Sequence, residues 1–466
     1  MTNKTHHSLH IPPAMWQQFR QAMLQARTNN EEVIGFLFCD RHHPSKRHIR
    51  HIPKTWIVPS RDCYHQQSES ALELKQDFHR YLLDTYLHHH RFDIVHIHTH
   101  PSLKPAHFSA IDNRHEAEYA RFLTARFPTK PQLISGVFDQ SLQQPTFRIW
   151  NRQGNAASPV RFSSSWLGLP PENAIATHPE IEPMFDRQHL FGTGVQQQLS
   201  QLSVTLIGCG GLGAIFAELL GRLGVKRWTL IDGDNLQTSN LNRMPAATTK
   251  MVRQQWPKVE YVKSLIKRIY ATGSRVKTIP TTLEAALEDS SARREIAAAD
   301  LIVVATDNHR SRQIAQELAL QSVRPLLCLG THIDIPADGL PRAYCRITIP
   351  PLGGGWCLMC GNIINLQQAA LESAPPALEE VARRSGYIPG ISNPSVFWLN
   401  GICASTAVGI VQGILGGWVR VDSGLDWIYD FPNSNWLKTN PEYLHQSDCY
   451  FCASEVDGAC NYPSAS

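Results

Sequence analysis

Ser203-Val204-Thr205-Leu206-Ile207-Gly208-Cys209-Gly210-Gly211-Leu212-Gly213 is an apolar run that breaks into a glycine-rich turn. Ala214 to Leu223 follows with a helical composition, and a second apolar run, Trp228 to Ile231, ends at Asp232. Strand, glycine turn, helix, strand, acid is the order of a βαβ nucleotide unit in an α/β fold with a predominantly parallel sheet. Gly208, Gly210, Gly211 and Gly213 let the backbone approach a phosphate at the helix N-terminus, where amide groups and the dipole favour an anion. Asp232 lies roughly 20 residues beyond the loop, placed to hydrogen-bond a ribose. Alone, the fingerprint most often serves NAD or FAD.

Four features turn the reading toward ATP. Asp232-Gly233-Asp234 runs into Ser239-Asn240-Leu241-Asn242-Arg243, a polar loop carrying a cation. Lys258 follows in a helical stretch. The strand Leu301 to Ala305 ends in Thr306-Asp307-Asn308, a carboxylate at the C-terminal edge of the sheet. Arg187-Gln188 lies just upstream. The set resembles the ubiquitin-activating superfamily, with its adenylating enzymes of the ThiF and MoeB type. The resemblance implies that Asp232 binds the ATP ribose, that Asp234 belongs to the same nucleotide site and that Asn240, Arg243 and Lys258 contact phosphates. It further implies that Asp307 holds Mg2+ and that Arg187 reaches a partner's phosphates across a homodimer. Met244 replaces the Gln that usually closes the loop signature.

Cys357-Leu-Met-Cys360 and Cys449-Tyr-Phe-Cys452 can supply four thiolates to a structural zinc. Members of the superfamily that form a thioester use a Cys in the segment after the first pair. Gly361 to Asn400 has none. Cys403 lies in an apolar run and reads as core, Cys209 is inside the glycine loop, Cys328 and Cys345 sit in apparent strands, and Cys460 is a spare near the C-terminus.

A second constellation precedes this half. His98-Thr99-His100-Pro101, then Ser109 and Asp112, follows the apolar pair Ile94-Val95. Histidines two apart on a strand point to one face, and Asp112 falls in the first turn of the helical stretch Phe108 to Phe122. Two imidazoles and a carboxylate make a three-ligand zinc site with an open fourth position, the arrangement of zinc hydrolases. With Glu32-Val33-Ile34-Gly35 upstream, the pattern resembles the JAMM (JAB/MPN+) metalloproteases, an α+β family that removes ubiquitin-like proteins. The resemblance makes Glu32 the general base and Ser109 an oxyanion donor; Glu31 is off by one position. His96, His107 and the run His88 to His90 fall outside the motif.

Two enzymes in one chain suit 466 residues that are 42% hydrophobic. The expected division is 1–152 for the zinc domain, 153–182 for a Ser- and Pro-rich linker, and 183–466 for the adenylation domain. A net charge of +4 with no basic run argues against nucleic acid. No 18-residue apolar stretch and no secretory signal is apparent, so neither a membrane nor export is expected. Two CxxC pairs among eleven Cys point to a reduced cytoplasm.

Both halves converge on the C-terminal Gly of a small protein. The favoured reading is a bifunctional enzyme of a bacterial ubiquitin-like pathway, with a conjugating-type partner and resemblance to operons tied to phage defence. The alternative is maturation and adenylation of a sulfur carrier for cofactor or cysteine synthesis, to which the absent crossover Cys leans. A non-catalytic scaffold is disfavoured, because it needs none of Glu32, His98, His100, Asp112, Arg243 and Asp307.

Overall fold

The computed structural model describes residues 5–27, 31–45, 48–68, 72–88, 90–100, 106–139, 142, 145–167, 182–270, 272–335, 339, 341–373, 394–431, 433–446 and 449–452. The chain forms two compact units, the first reaching Pro171 and the second running from Glu172 to Ala453.

The first unit carries strands β1 (His6–His10), β2 (Ile34–Ser45), β3 (His48–Ile57), β4 (Tyr64–Gln67), β5 (Leu72–Leu74), β6 (Asp93–Thr99), β7 (Leu133–Phe138), β8 (Thr146–Trp150) and β9 (Ala157–Ser163). Seven of them close into a barrel in the order β1-β3-β2-β6-β7-β8-β9; β4 and β5 pair separately. The alternation of β6 decides what it presents. Val95 and Ile97 pack into one apolar cluster with Trp16 and Phe19 of the helix Pro13–Ala26. Ile94 packs into another with Leu123 and Phe127, at the end of the helix Ala110–Arg126. His96 and His98 share the Ile94 face by the period of two.

β9 corrects the expected linker. It lies inside 153–182, yet pairs with β8 and, in parallel, with β1. Its Pro159 explains why it does not read as a strand. The β1 pairing covers only Arg161 to Ser163, so Pro159 stands where β9 has a single neighbour and a missing N–H is tolerated.

Several histidines outside the motif are structural. His51 Nδ1 lies 3.0 Å from Asp93 Oδ2, and His51 Nε2 lies 2.9 Å from His7 Nδ1. Arg41 donates to both Asp93 oxygens, and the Gln132 amide donates to Oδ1 at 2.8 Å. Burial would raise the Asp93 pKa, but the bonds from Arg41 and His51 outweigh it and hold it at about 2.

The second unit is one sheet of β10 (Ser203–Ile207), β11 (Arg227–Ile231), β12 (Arg275–Ile279), β13 (Leu301–Val304), β14 (Leu326–Asp334), β15 (Arg342–Ile349), β16 (Leu425–Phe431) and β17 (Asn435–Lys438). The order is β12-β11-β10-β13-β14-β15-β16-β17, parallel through β14 and antiparallel beyond it. Chain order reverses between β10 and β13, which opens a crevice at the carboxyl ends of those strands.

The helix Phe397–Gly416 corrects the expectation that no long apolar stretch exists. Its 20 residues have a mean hydropathy of 1.4, long and apolar enough to cross a membrane. It packs on the helix Gly211–Arg222 and on β14 and β15. Leu399, Cys403, Ala407 and Val411 are fully buried, the state of a core helix that is apolar nearly all round.

Candidate nucleotide and metal sites

In the first unit, His98 is opposite Ile34 in the β2–β6 ladder. Its Nε2 lies 3.1 Å from His100 Nε2 and 3.3 Å from Asp112 Oδ1, and His100 Nε2 lies 3.6 Å from Asp112 Oδ2. Donors bound tetrahedrally at zinc bond lengths stand about 3.4 Å apart. The three side chains therefore fit a zinc ion with one position left open. Pro101 lies outside the described residues.

Ser109 has a structural role as well as the one expected of it. It is the N-cap of Ala110–Arg126, where its Oγ accepts from the Asp112 amide at 3.1 Å and its own amide donates to Asp112 Oδ2 at 2.6 Å. This reciprocal box fixes the carboxylate ligand. The Ser109 hydroxyl proton is not used by the cap bond, since a hydroxyl both donates and accepts.

Glu32 is half-buried beside this cluster. The Val33 amide donates to Thr99 Oγ1 at 2.9 Å, and the Thr99 amide donates to the Val33 carbonyl at 3.0 Å. Burial pushes the Glu32 carboxyl up from its ordinary value; His98 and His100 pull it down, and Asp112 pushes it up. Glu31 turns elsewhere, its carboxylate 3.1 Å from Arg61. His96 stacks on Phe36 and, through burial, stays neutral with a pKa of about 3. His107 is exposed, yet its ring lies 6.4 Å from that of His100, nearer the site than a remote loop residue.

In the second unit, the expected nucleotide residues other than Gly213 and Arg187 line one cavity of about 800 Å³. Gly208 has φ +94°, and a Cβ on Gly213 would stand 2.0 Å from the Gly208 carbonyl oxygen. The loop can fold over the start of the helix Gly211–Arg222 only because both are glycine. A Cβ on Gly210 would meet nothing within 4 Å. Asp232, just past β11, accepts from the Cys209 amide at 2.7 Å and the Asp234 amide at 2.9 Å. Burial pushes its carboxyl up, and Lys258 pulls it down.

Asn240 is buried, and its Oδ1 accepts from the Gln237 amide at 3.0 Å. That bond shapes the turn carrying Arg243, whose Nη1 donates to the Ser239 carbonyl at 2.5 Å. Met244 is 3% exposed, so the residue replacing the signature Gln serves the core. Asp307 lines the cavity just past β13, and Asn308 caps the helix His309–Ser322 by accepting from the Ser311 amide at 2.7 Å. Arg187 is exposed in the 3-10 segment Pro183–Phe191 and does not line this cavity.

Cys357 Sγ lies 3.8 Å from Cys360 Sγ and 3.8 Å from Cys449 Sγ, and Cys360 Sγ lies 3.5 Å from Cys452 Sγ. Thiolates around zinc at about 2.3 Å stand about 3.8 Å apart, so the set fits.

The ThiF family model matches residues 185–450, more than half of the sequence. This chain belongs to the ThiF family. It is similar to the sulfur carrier protein ThiS adenylyltransferase of Bacillus subtilis, 29% identical over 188 residues that cover 38% of this chain and 54% of that protein. It is also similar to the adenylyltransferase and sulfurtransferase MOCS3 of Danio rerio, 29% identical over 205 residues covering 43% of this chain and 39% of that protein. The chain thus spans about half or less of these relatives. A crystal structure of E. coli MccB with MccA-N7isoASN aligns at TM-score 0.46 and 16% identity, covering 61% of this chain and 77% of that one.

The ThiF unit also recruits residues that the sequence reading missed. Asn400, 1% exposed, lines the cavity from the apolar helix Phe397–Gly416, and its Oδ1 accepts from Thr331 Oγ1 at 3.1 Å. A lone Asn in an apolar helix was the available signal. Arg312 lines the cavity too, its Nη2 donating to the Thr306 carbonyl at 2.8 Å. Cys403 is fully buried, its thiol pushed well up by Cys345 and by burial, in keeping with a core role. Half of the segment after the first CxxC, residues 374–393, and Cys460 lie outside the described residues.

Proposed function

We propose that the ThiF unit adenylates the C-terminal carboxylate of a small carrier protein. The observation carrying this is one cavity in which the glycine loop, Asp232, Arg243, Lys258 and Asp307 meet. A carboxylate oxygen of the carrier attacks the α-phosphorus of ATP. The bond to the β-phosphate oxygen breaks, and pyrophosphate leaves with that electron pair. Arg243 and Lys258 supply positive charge where it accumulates. Asp307 would hold Mg2+, which adds phosphate charge neutralisation when bound.

The relatives, a sulfur-carrier adenylyltransferase and a combined adenylyltransferase and sulfurtransferase, favour a sulfur carrier over a conjugation cascade as the setting. That reverses the order in which the sequence alone ranks the two. A homodimer in which Arg187 serves the neighbouring copy accounts for its exposed position. ATP–pyrophosphate exchange that depends on a carrier ending in Gly tests the proposal.

We further propose that the first unit is a zinc peptidase acting on the same carrier. His98, His100 and Asp112 would hold the ion, whose charge brings the pKa of a water to about 7. Glu32 would take the proton and pass it to the leaving amine, and Ser109 would donate to the developing oxyanion. Cleavage of a carrier extended past its terminal Gly, lost in His98→Ala, is the measurement that tests it.

A further inference from the structure

We propose that Arg148 is the positioning residue that holds the metal ligand Asp112 against β6. The inference rests on the metal-site reading above. Arg148 pairs with Ser135 in the β7–β8 ladder, and Ser135 pairs with His96 in the β6–β7 ladder. Directly paired residues project to one face, so Arg148 shares the face of His96 and His98.

From there its guanidinium grips the start of the helix Ala110–Arg126 at three points. Its Cζ lies 3.6 Å from the centre of the Phe108 ring. Its Nη1 donates to Asn113 Oδ1 at 2.5 Å. Its Nε and Nη2 both donate to Glu116 Oε2, at 2.9 and 2.5 Å. Phe108, Asn113 and Glu116 bracket Ser109 and Asp112, the two residues of the capping box.

Glu116 is 2% exposed, and its Oε2 also accepts from Trp150 Nε1 at 2.9 Å. A carboxylate this buried needs a cation, and a planar fork suits the task in a way an ammonium does not. The contacts fix both the rotation and the height of the first helical turn. Asp112 is on the helix while His98 and His100 are on β6 and just past it, so their separations depend on that docking. A direct partner of a metal ligand typically changes metal affinity by about 10–100-fold, and Arg148, acting on Asp112 through the helix, belongs at the lower end of that range.

The test is zinc affinity of the full chain, by competition with a chromophoric chelator. The binding step missing in His98→Ala marks the site. Arg148→Lys keeps a charge for Glu116 but loses the fork and the flat stack. Asn113→Ala removes an exposed tether beside Asp112 with little risk to folding. Both should weaken the marked step by about 10-fold or more, while the melting temperature of metal-free Asn113→Ala matches wild type. Asn113→Asp, which restores an acceptor for Arg148, should return the affinity. Wild-type affinity in both Arg148→Lys and Asn113→Ala would overturn the positioning role. A zinc titration identical in wild type and His98→Ala would instead overturn the metal site itself, and the inference with it.

Discussion

Lys258 Nζ lies 2.5 Å from Asp234 Oδ2, so the cation expected to meet a phosphate is held on an acid at the cavity mouth. The Asp234 side chain is 69% exposed, and such pairs contribute about 0–1 kcal/mol. The lysine can therefore transfer to a stronger anion at small cost. Lys258→Ala should lower ATP–pyrophosphate exchange by about 10²–10³-fold, the range for one preorganised charge-stabilising group. Asp234→Ala should leave the melting temperature within a few degrees of wild type. Exchange undiminished in Lys258→Ala would remove the lysine from the phosphate site.

The glycine loop separates two kinds of glycine. Gly213→Ala would drive a methyl to 2.0 Å from the Gly208 oxygen, a backbone atom that cannot swing aside. The expected loss is about 1–3 kcal/mol or more in unfolding free energy, because overpacking forces backbone shifts. Gly210→Ala meets no atom within 4 Å and should melt near wild type. Chemical denaturation of the two variants compares them directly.

Purified protein should carry two zinc ions per chain, a figure that follows from two fitted ligand sets. Replacing Cys357 and Cys360 by Ser should remove one of them and destabilise the ThiF unit, since a structural zinc contributes folding free energy. Elemental analysis returning the same zinc content for both proteins would sink the four-cysteine assignment.

Glu32→Gln should keep both zinc ions, because Glu32 is outside the ligand trio, yet cut peptidase activity by about 10²–10⁴-fold. Activity at the wild-type level would return Glu32 to a structural role.

Asp93 predicts the acid behaviour of the barrel. Its folded pKa, about 2, is below the ordinary 3.8. The unfolded chain therefore binds a proton first as pH falls, and the stabilisation is full above pH 4 and lost on descending toward 2. Asp93→Asn should flatten that limb and, by leaving Arg41 and His51 without their carboxylate, cost about 3–5 kcal/mol at neutral pH. Urea midpoints measured from pH 6 to pH 2 would show it.

Legibility in the sequence followed the range of the interactions. The loop Gly208 to Gly213 and the pair His98 and His100 were legible as groupings because their geometry is set within a few residues. Asp112 was legible beside them, since the capping box with Ser109 is itself a local signature. Asn400, Arg312 and Arg148 were not, because each reaches its site through packing between distant elements. β9 was missed for a related reason: its Ser and Pro composition lacks strand character, and its conformation is secured by β1 and β8. Arg187 remains away from the cavity of its own chain.

The parallel pairing of β1 with β9 has a practical consequence. Closing a sheet on itself leaves no row of bare amides for another chain to pair with. A first unit cut after residue 152 would lack β9 and expose the sides of both β1 and β8. Such a fragment should self-associate where one ending near Pro171 stays dispersed, so the place of the cut, more than the surface charge, would govern its solubility.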